Sequence, residues 1–203
     1  MRVFLLPFLL LLFSCSSVIA EEKKAAKITD KYAHPVIELK TAKGSIKFEL
    51  YEDKTPNTVA HIITLAESGF YKGQSFHRIS DEFVVQGGCP NTKPEASGRF
   101  GTGGPGYTID EEPHPELKHK YGMLTMAKKR DKGTTGSQFC IFLDDANYLD
   151  GKYTVFGKMI EGEEVLKKLA ALAGSRGKPK DYISFDIIVI SKNKTDYKVK
   201  KNK

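Results

Sequence analysis

The sequence predicts an all-β fold, an antiparallel closed barrel accompanied by two helices. Three observations predict it. Short runs of alternating apolar and polar residues recur along the middle of the chain. Only two segments carry helical periodicity, and neither links strands in the repeated βαβ order of a parallel sheet. The composition allows one such domain, because 203 residues that are 40% hydrophobic and 28% charged can close a core. The same proportions exclude a disordered, collagenous or coiled-coil chain. Three cysteines (Cys15, Cys89 and Cys140) are too few for a disulfide-stapled scaffold.

Residues 1–20 carry one charge, Arg2, and an apolar run over 3–13 broken only by Pro7. A helix of that length reaches about 16 Å against the ~30 Å of membrane hydrocarbon, so the segment reads as an export signal. Two processing sites stay open. Val18-Ile19-Ala20 before Glu21 fits small-residue cleavage, whereas Leu12-Phe13-Ser14-Cys15 resembles a lipobox, in which Cys15 is lipidated and anchors the protein to a membrane. The expected location is a bacterial cell envelope, periplasmic or membrane-anchored, with secretion as the alternative. Residues 21–34 then form a polar tether, 35–191 the folded domain and 192–203 a basic tail.

Within the domain, residues 36–41 and 45–50 read as a hairpin turning at Ala42-Lys43-Gly44, with Ile46, Phe48 and Leu50 on the buried face. Thr55-Pro56 opens a helix, Thr55 as N-cap and Pro56 at its first position. Val59, Ile62, Ile63 and Ala66 form its apolar stripe, and Gly69 ends it. Strands follow at 75–78, 83–86, 123–127, 138–143 and 154–159. Val165, Leu166, Leu169 and Leu172 mark a second helix over 163–172, and 182–191 is a last apolar strand.

The tail has six lysines against Asp196, with Tyr197 and Val199 as its large apolar residues, and reads as solvated and frayed. It also explains the net charge of +7 and the pI near 9.1. The signal carries +1 and the tail +5, leaving +1 for residues 21–191. No nucleic-acid partner is therefore expected.

Three motifs carry no chemistry. Gly101-Thr102-Gly103-Gly104-Pro105-Gly106 satisfies GxGxxG, but a proline lies inside it and Tyr107-Thr108-Ile109 continues as extended chain, so it is a surface loop. Glu111, Glu112, His114 and His119 lack metal-site spacing, with Pro113 and Pro115 excluding a helix between them. Ser137 lacks the second glycine of a nucleophile elbow.

The informative residues are Phe76-His77-Arg78, Phe83 and Gln86-Gly87-Gly88, followed downstream by GGPGY, GMLTMA, GSQF and LDGKYTVFGK. With these five blocks in order from about residue 36 to 191, the sequence resembles the cyclophilins, the barrel-type peptidyl-prolyl cis-trans isomerases. The compact loops look like those of the bacterial subgroup. The resemblance implies a closed eight-stranded antiparallel barrel capped by two α-helices, and catalysis of X–Pro amide rotation in proline-containing clients during folding of exported proteins. It implies a monomer that needs no cofactor and no metal. The alternative is a non-catalytic module of the same fold that binds Pro-containing segments as a chaperone or adhesin.

By the same resemblance Arg78 is the donor to the prolyl nitrogen, Gln86 holds it, and Phe83 walls the proline pocket. Val84, Ala127, Lys128, Gln138, Leu149 and Tyr153 match further groove positions. Two departures from the family matter most. Cys140 stands where Phe is usual, which implies a wider or less apolar pocket and slower turnover. Tyr148 stands where many eukaryotic members have the Trp linked to cyclosporin binding. Residues 128–132 add a basic loop beside the groove, and whether Cys89 and Cys140 pair is left open.

Overall fold

The first hairpin joins β1 (Val36–Thr41) to β2 (Gly44–Leu50), with Thr41 opposite Gly44 and a two-residue turn between them. Gly44 has φ of 124°, and a methyl group there would stand 2.7 Å from a Val165 methyl, so only glycine fits. The computed structural model describes residues 31–129, 133–194 and 196–202. The segment expected to be an export signal, with Cys15, most of the expected tether, and Arg130, Asp131 and Lys132 of the basic loop lie outside the described residues.

The strands that follow are β3 (Gln74–Ser75), β4 (Arg78–Ser80), β5 (Val84–Gly87), β6 (Met123–Met126), β7 (Phe139–Phe142), β8 (Val155–Glu161) and β9 (Ser184–Ser191). All pairings are antiparallel, in the order β3-β9-β1-β2-β8-β6-β7-β5-β4. The closed eight-stranded barrel is thus corrected to a curled sheet of nine strands whose edges, β3 and β4, do not pair with each other. The physical reason lies in residues 75–78, which were expected to form one strand. The chain leaves the β9 edge after Ser75 and joins the β5 edge at Arg78, with Phe76 N–H donating to Ile183 and His77 N–H to Gln86. Phe76 at this seam is fully buried and stacks on Phe185 at 4.6 Å. The sheet therefore curls around one apolar core that includes Phe48, Phe139 and Phe156.

Helix α1 (Pro56–Glu67) buries Val59, Ile62, Ile63 and Ala66 as expected. Its cap differs from the expectation. The Thr55 hydroxyl donates back to the Tyr51 carbonyl, and the Glu112 carboxylate accepts from Asn57 N–H at 3.0 Å and Thr58 N–H at 2.7 Å. A full negative charge on the first free amides outperforms a neutral hydroxyl. Helix α2 (Glu163–Ala170) is shorter than expected, and Leu172 packs on the core just beyond it. The tail also departs from expectation. Tyr197 packs against the core, and the segment lies back along the barrel. Among the described residues no helix is long and apolar enough to cross a membrane.

Candidate active site

Strands β4, β5 and β7 place the site. Arg78 lies opposite Gln86, and Gln86 opposite Cys140, so three side chains from neighbouring strands share one outward face. Along β7 the pleat sends Phe139 and Ile141 into the main core and Cys140 and Phe142 to the other side. There Val84, Phe142 and Ala146 form a small second core, against which Phe83, Cys140 and Leu149 pack while half-buried.

The result is an apolar cavity of about 210 Å³ with a polar rim. Arg78, Phe83, Val84, Gln86, Ala127, Lys128, Cys140, Leu149 and Tyr153 all line it, so nine of the expected residues come together. The guanidinium carbon of Arg78 sits 5.4 Å from the Phe83 ring centre. Phe83 meets Phe142 edge to face at 5.6 Å. The Lys128 ammonium stands 5.3 Å over the Tyr153 ring.

A one-way hydrogen-bond relay orients the arginine. Gln138 Nε2 donates to the carbonyls of Gly101 and Gly103, at 2.9 Å each. With its amide so turned, Gln138 Oε1 accepts from Gln86 Nε2 at 3.1 Å, and Gln86 Oε1 accepts from Arg78 at 3.4 Å. The glycine loop read as inert is therefore the anchor of the relay. Gln138 itself lines an adjoining cavity of about 340 Å³, which shares Gln86, Ala127 and Lys128 with the first.

The conformation of Gly88 matters here. Its φ is 87°, and a Cβ would lie 2.3 Å from the Ser137 carbonyl oxygen. The Ser137 hydroxyl donates to the Gly88 carbonyl at 2.6 Å in the interior. Gly88 and Ser137 thus lock the β5 and β7 ends together, and Ser137 serves packing rather than nucleophilic chemistry.

Burial pushes the Cys140 thiol up to about 12, with the nearby Arg78 charge opposing the shift, so no thiolate forms at neutral pH. Cys89 and Cys140 are both free, and the Cys89 sulfur accepts from Gly101 N–H at 3.3 Å. His77 is held down to about 4 by burial and then by the Arg78 charge, and stays neutral. Ala127 N–H is taken by the Gln138 carbonyl. Tyr148 is not brought into the cavity: it is 64% exposed on a short turn, with its carbonyl accepting from Lys152.

Sequence reasoning missed two features. Phe142 supplies an aromatic floor from the same strand face as Cys140, and its spacing of two residues was the available signal. Behind it, fully buried His119 packs on Phe142 at 5.1 Å and on Tyr153 at 6.4 Å. Asp150 fixes that ring, accepting from His119 N–H and pairing with Nδ1, both at 2.9 Å. The candidate metal residues are dispersed into such roles, and among the described residues no group of His, Cys, Asp and Glu could hold a metal.

The comparisons agree with this geometry. The family model described as "Cyclophilin type peptidyl-prolyl cis-trans isomerase/CLD" matches residues 36–191. A peptidyl-prolyl cis-trans isomerase of Helicobacter pylori is 46% identical over 135 residues, 64% of this chain and 77% of the relative. A peptidyl-prolyl cis-trans isomerase-like 1 protein of Bos taurus is 36% identical over 159 residues, 77% of this chain and 93% of the relative. Relatives are thus both bacterial and eukaryotic. Among solved structures, a Cryptosporidium parvum cyclophilin-type isomerase superposes with a TM-score of 0.70 at 35% identity, covering 76% of this chain and 96% of that one. The same protein, solved in the presence of the dipeptide Ala-Pro, gives 0.69 at the same identity, covering 76% and 98%.

Proposed function

The chain belongs to the cyclophilin-type peptidyl-prolyl cis-trans isomerases, and on that premise we propose that Arg78 drives X–Pro rotation in polypeptide clients exported from the cell. The peptide C–N bond resists rotation by about 20 kcal/mol because of its partial double-bond character. A hydrogen bond donated to the prolyl nitrogen uncouples that resonance, since the nitrogen's lone pair then points at the donor instead of the carbonyl. Nothing is covalently broken, so the residues must only bind, orient and donate.

Arg78 is suited to the task. It stays charged at any physiological pH and presents several oriented donors, one of which Gln86 engages. With a pyrrolidine ring against Phe83, Phe142 and Leu149, the prolyl nitrogen faces the Arg78 rim. Such a donor accelerates rotation to the extent that it binds the twisted amide more strongly than either planar one. A substrate strand beside Ala127 pairs through the carbonyl edge, because the N–H is already engaged. One chain lines the entire cavity, which supports a monomer.

The observation that carries the reading is the relay-held Arg78 at the rim of an apolar cavity floored by two phenylalanines. A protease-coupled proline-peptide assay on the mature chain tests it. The wild type accelerates cis-to-trans conversion, and Arg78→Ala lowers the rate about 10²–10³-fold while still binding the peptide. Full activity in Arg78→Ala overturns the mechanism. Export rests on the apolar run over 3–13 and the small residues after it. The bacterial envelope is where a lipobox-like Cys15 has meaning. Mass spectrometry of the mature N-terminus separates a lipid-modified Cys15 from a free Glu21, and an intact Met1 refutes export.

A further inference from the structure

The end of the chain is fastened rather than loose. Lys192 pairs with Glu67 at 2.5 Å and Lys194 with Glu52 at 2.8 Å. Asn57 Nδ2 donates to the Lys200 carbonyl at 3.0 Å, and Lys200 N–H donates to Asn57 Oδ1 at 2.8 Å. Asn202 N–H donates to the Thr108 carbonyl at 2.7 Å, and its side chain donates to Asp110 at 2.9 Å. Bonds on both sides of Lys201 leave it little freedom.

That places the Lys201 ammonium 4.2 Å from the centre of the Tyr107 ring. Tyr107 lines the second cavity, and its hydroxyl donates to His61 Nδ1 at 3.1 Å. His61 Nε2 in turn donates to the Gly136 carbonyl at 3.0 Å, so the ring under Lys201 is itself held. Burial keeps His61 neutral by lowering its pKa.

Lys128 and Lys129 line the same cavity, and among the described residues no carboxylate does. Unlike Lys192 and Lys194, Lys128, Lys129 and Lys201 form no ion pair with any described residue. The carboxylates nearest Tyr107 in sequence are turned elsewhere: Asp110 to Asn202, and Glu111 to Gly133 N–H at 3.0 Å. Two cations therefore line a pocket continuous with the apolar one, with no carboxylate among its described lining residues, and a third, Lys201, stands over the ring of Tyr107 in its wall.

We propose that residues 196–202 form a specificity strap, and that Lys201, with Lys128 and Lys129, selects X–Pro segments carrying an acidic residue where the client crosses the second cavity. The inference rests on the proline occupying the first cavity, since the shared wall of Gln86, Ala127 and Lys128 sets the neighbouring residues over the second. The cationic field is local, because residues 21–191 carry a net charge of only +1.

The test is exchange NMR on peptides with one proline and Glu, Ala or Lys at each of the nearest positions on either side. At low salt, Glu raises kcat/KM over Ala about 3–10-fold at one or two positions, and Lys lowers it. At about 0.3 M salt, where screening acts over less than ~8 Å, the preference shrinks below about twofold. Lys201→Glu and a chain ending at Tyr197 both weaken the Glu preference and leave the Ala peptide unchanged. Equal rates for Glu, Ala and Lys at every position overturn the proposal, as does a Glu preference that survives Lys201→Glu intact. A wild-type chain inert toward the Ala peptide overturns the proline-site reading instead.

Discussion

Replacing Gln138 by Leu removes the middle of the relay without touching the arginine or the apolar floor. Gln138 makes three hydrogen bonds, donating to Gly101 and Gly103 and accepting from Gln86. Each is worth about 0.5–1.5 kcal/mol net. The bond that matters for catalysis is the one from Gln86, because it decides which end of the Gln86 amide faces Arg78. Losing about 1 kcal/mol of that preference shifts the ratio of the two amide orientations about fivefold. In the flipped form an NH₂ group opposes the guanidinium. The expected result is a kcat/KM about 3–5-fold below wild type, with about 1–2 kcal/mol lost in stability. Gln86→Leu is expected to lose about tenfold, because Arg78 then has no partner on its neighbouring strand. The double variant should be no slower than Gln86→Leu alone, since the two residues act in series. The assay is protease-coupled isomerisation with the uncatalysed rate subtracted. An unchanged rate in Gln138→Leu, or losses that multiply in the double variant, refutes the relay.

Other predictions concern the floor, the helix cap and pH. Cys140→Phe puts a second ring on the face already occupied by Phe142, and overpacking should cost about 1–3 kcal/mol and slow turnover. Adding Phe142→Cys should restore much of both, as read by denaturant titration and kcat/KM. Glu112→Ala strips α1 of its cap and should lower stability by about 1–2 kcal/mol, or Tm by about 3–6 °C, in calorimetry. His77 and His61 have lowered values in the folded chain, and in the unfolded chain they bind protons at the ordinary imidazole value of 6.5. Acid therefore favours unfolding: their contribution is complete above pH 6.5 and declines as pH falls, for His77 toward about 4. Urea unfolding across this range should show falling stability, and Phe substituted for His77 should flatten the decline.

Much of the barrel was legible because half-buried strands alternate visibly, as Ile46, Phe48 and Leu50 do. The seam was not. Two-residue and three-residue strands carry no periodicity, and the partners of residues 74–80 lie on β9 and β5, far apart in sequence. Of the site, the nine residues around the apolar cavity were legible through the family blocks, whereas Tyr148 was carried along by its neighbours and points to solvent. The cap escaped notice because Glu112 is remote from α1 in sequence, and a local threonine looked sufficient. The tail misled by composition: six lysines suggest solvation, but Tyr197 and the distant acceptors on Asn57 and Thr108 decide where it lies.

The central claim is that an oriented guanidinium, rather than positive charge alone, lowers the rotation barrier. Arg78→Lys separates the two, because lysine keeps the charge and loses the planar fork that Gln86 aligns. The measurement is kcat/KM for a cis Ala-Pro peptide in this variant against wild type. The account predicts a loss of about 10²-fold, comparable to removing an aligned donor from an oxyanion hole. An activity within about threefold of wild type would contradict it, because a loss of 10²-fold is about 2.7 kcal/mol of barrier.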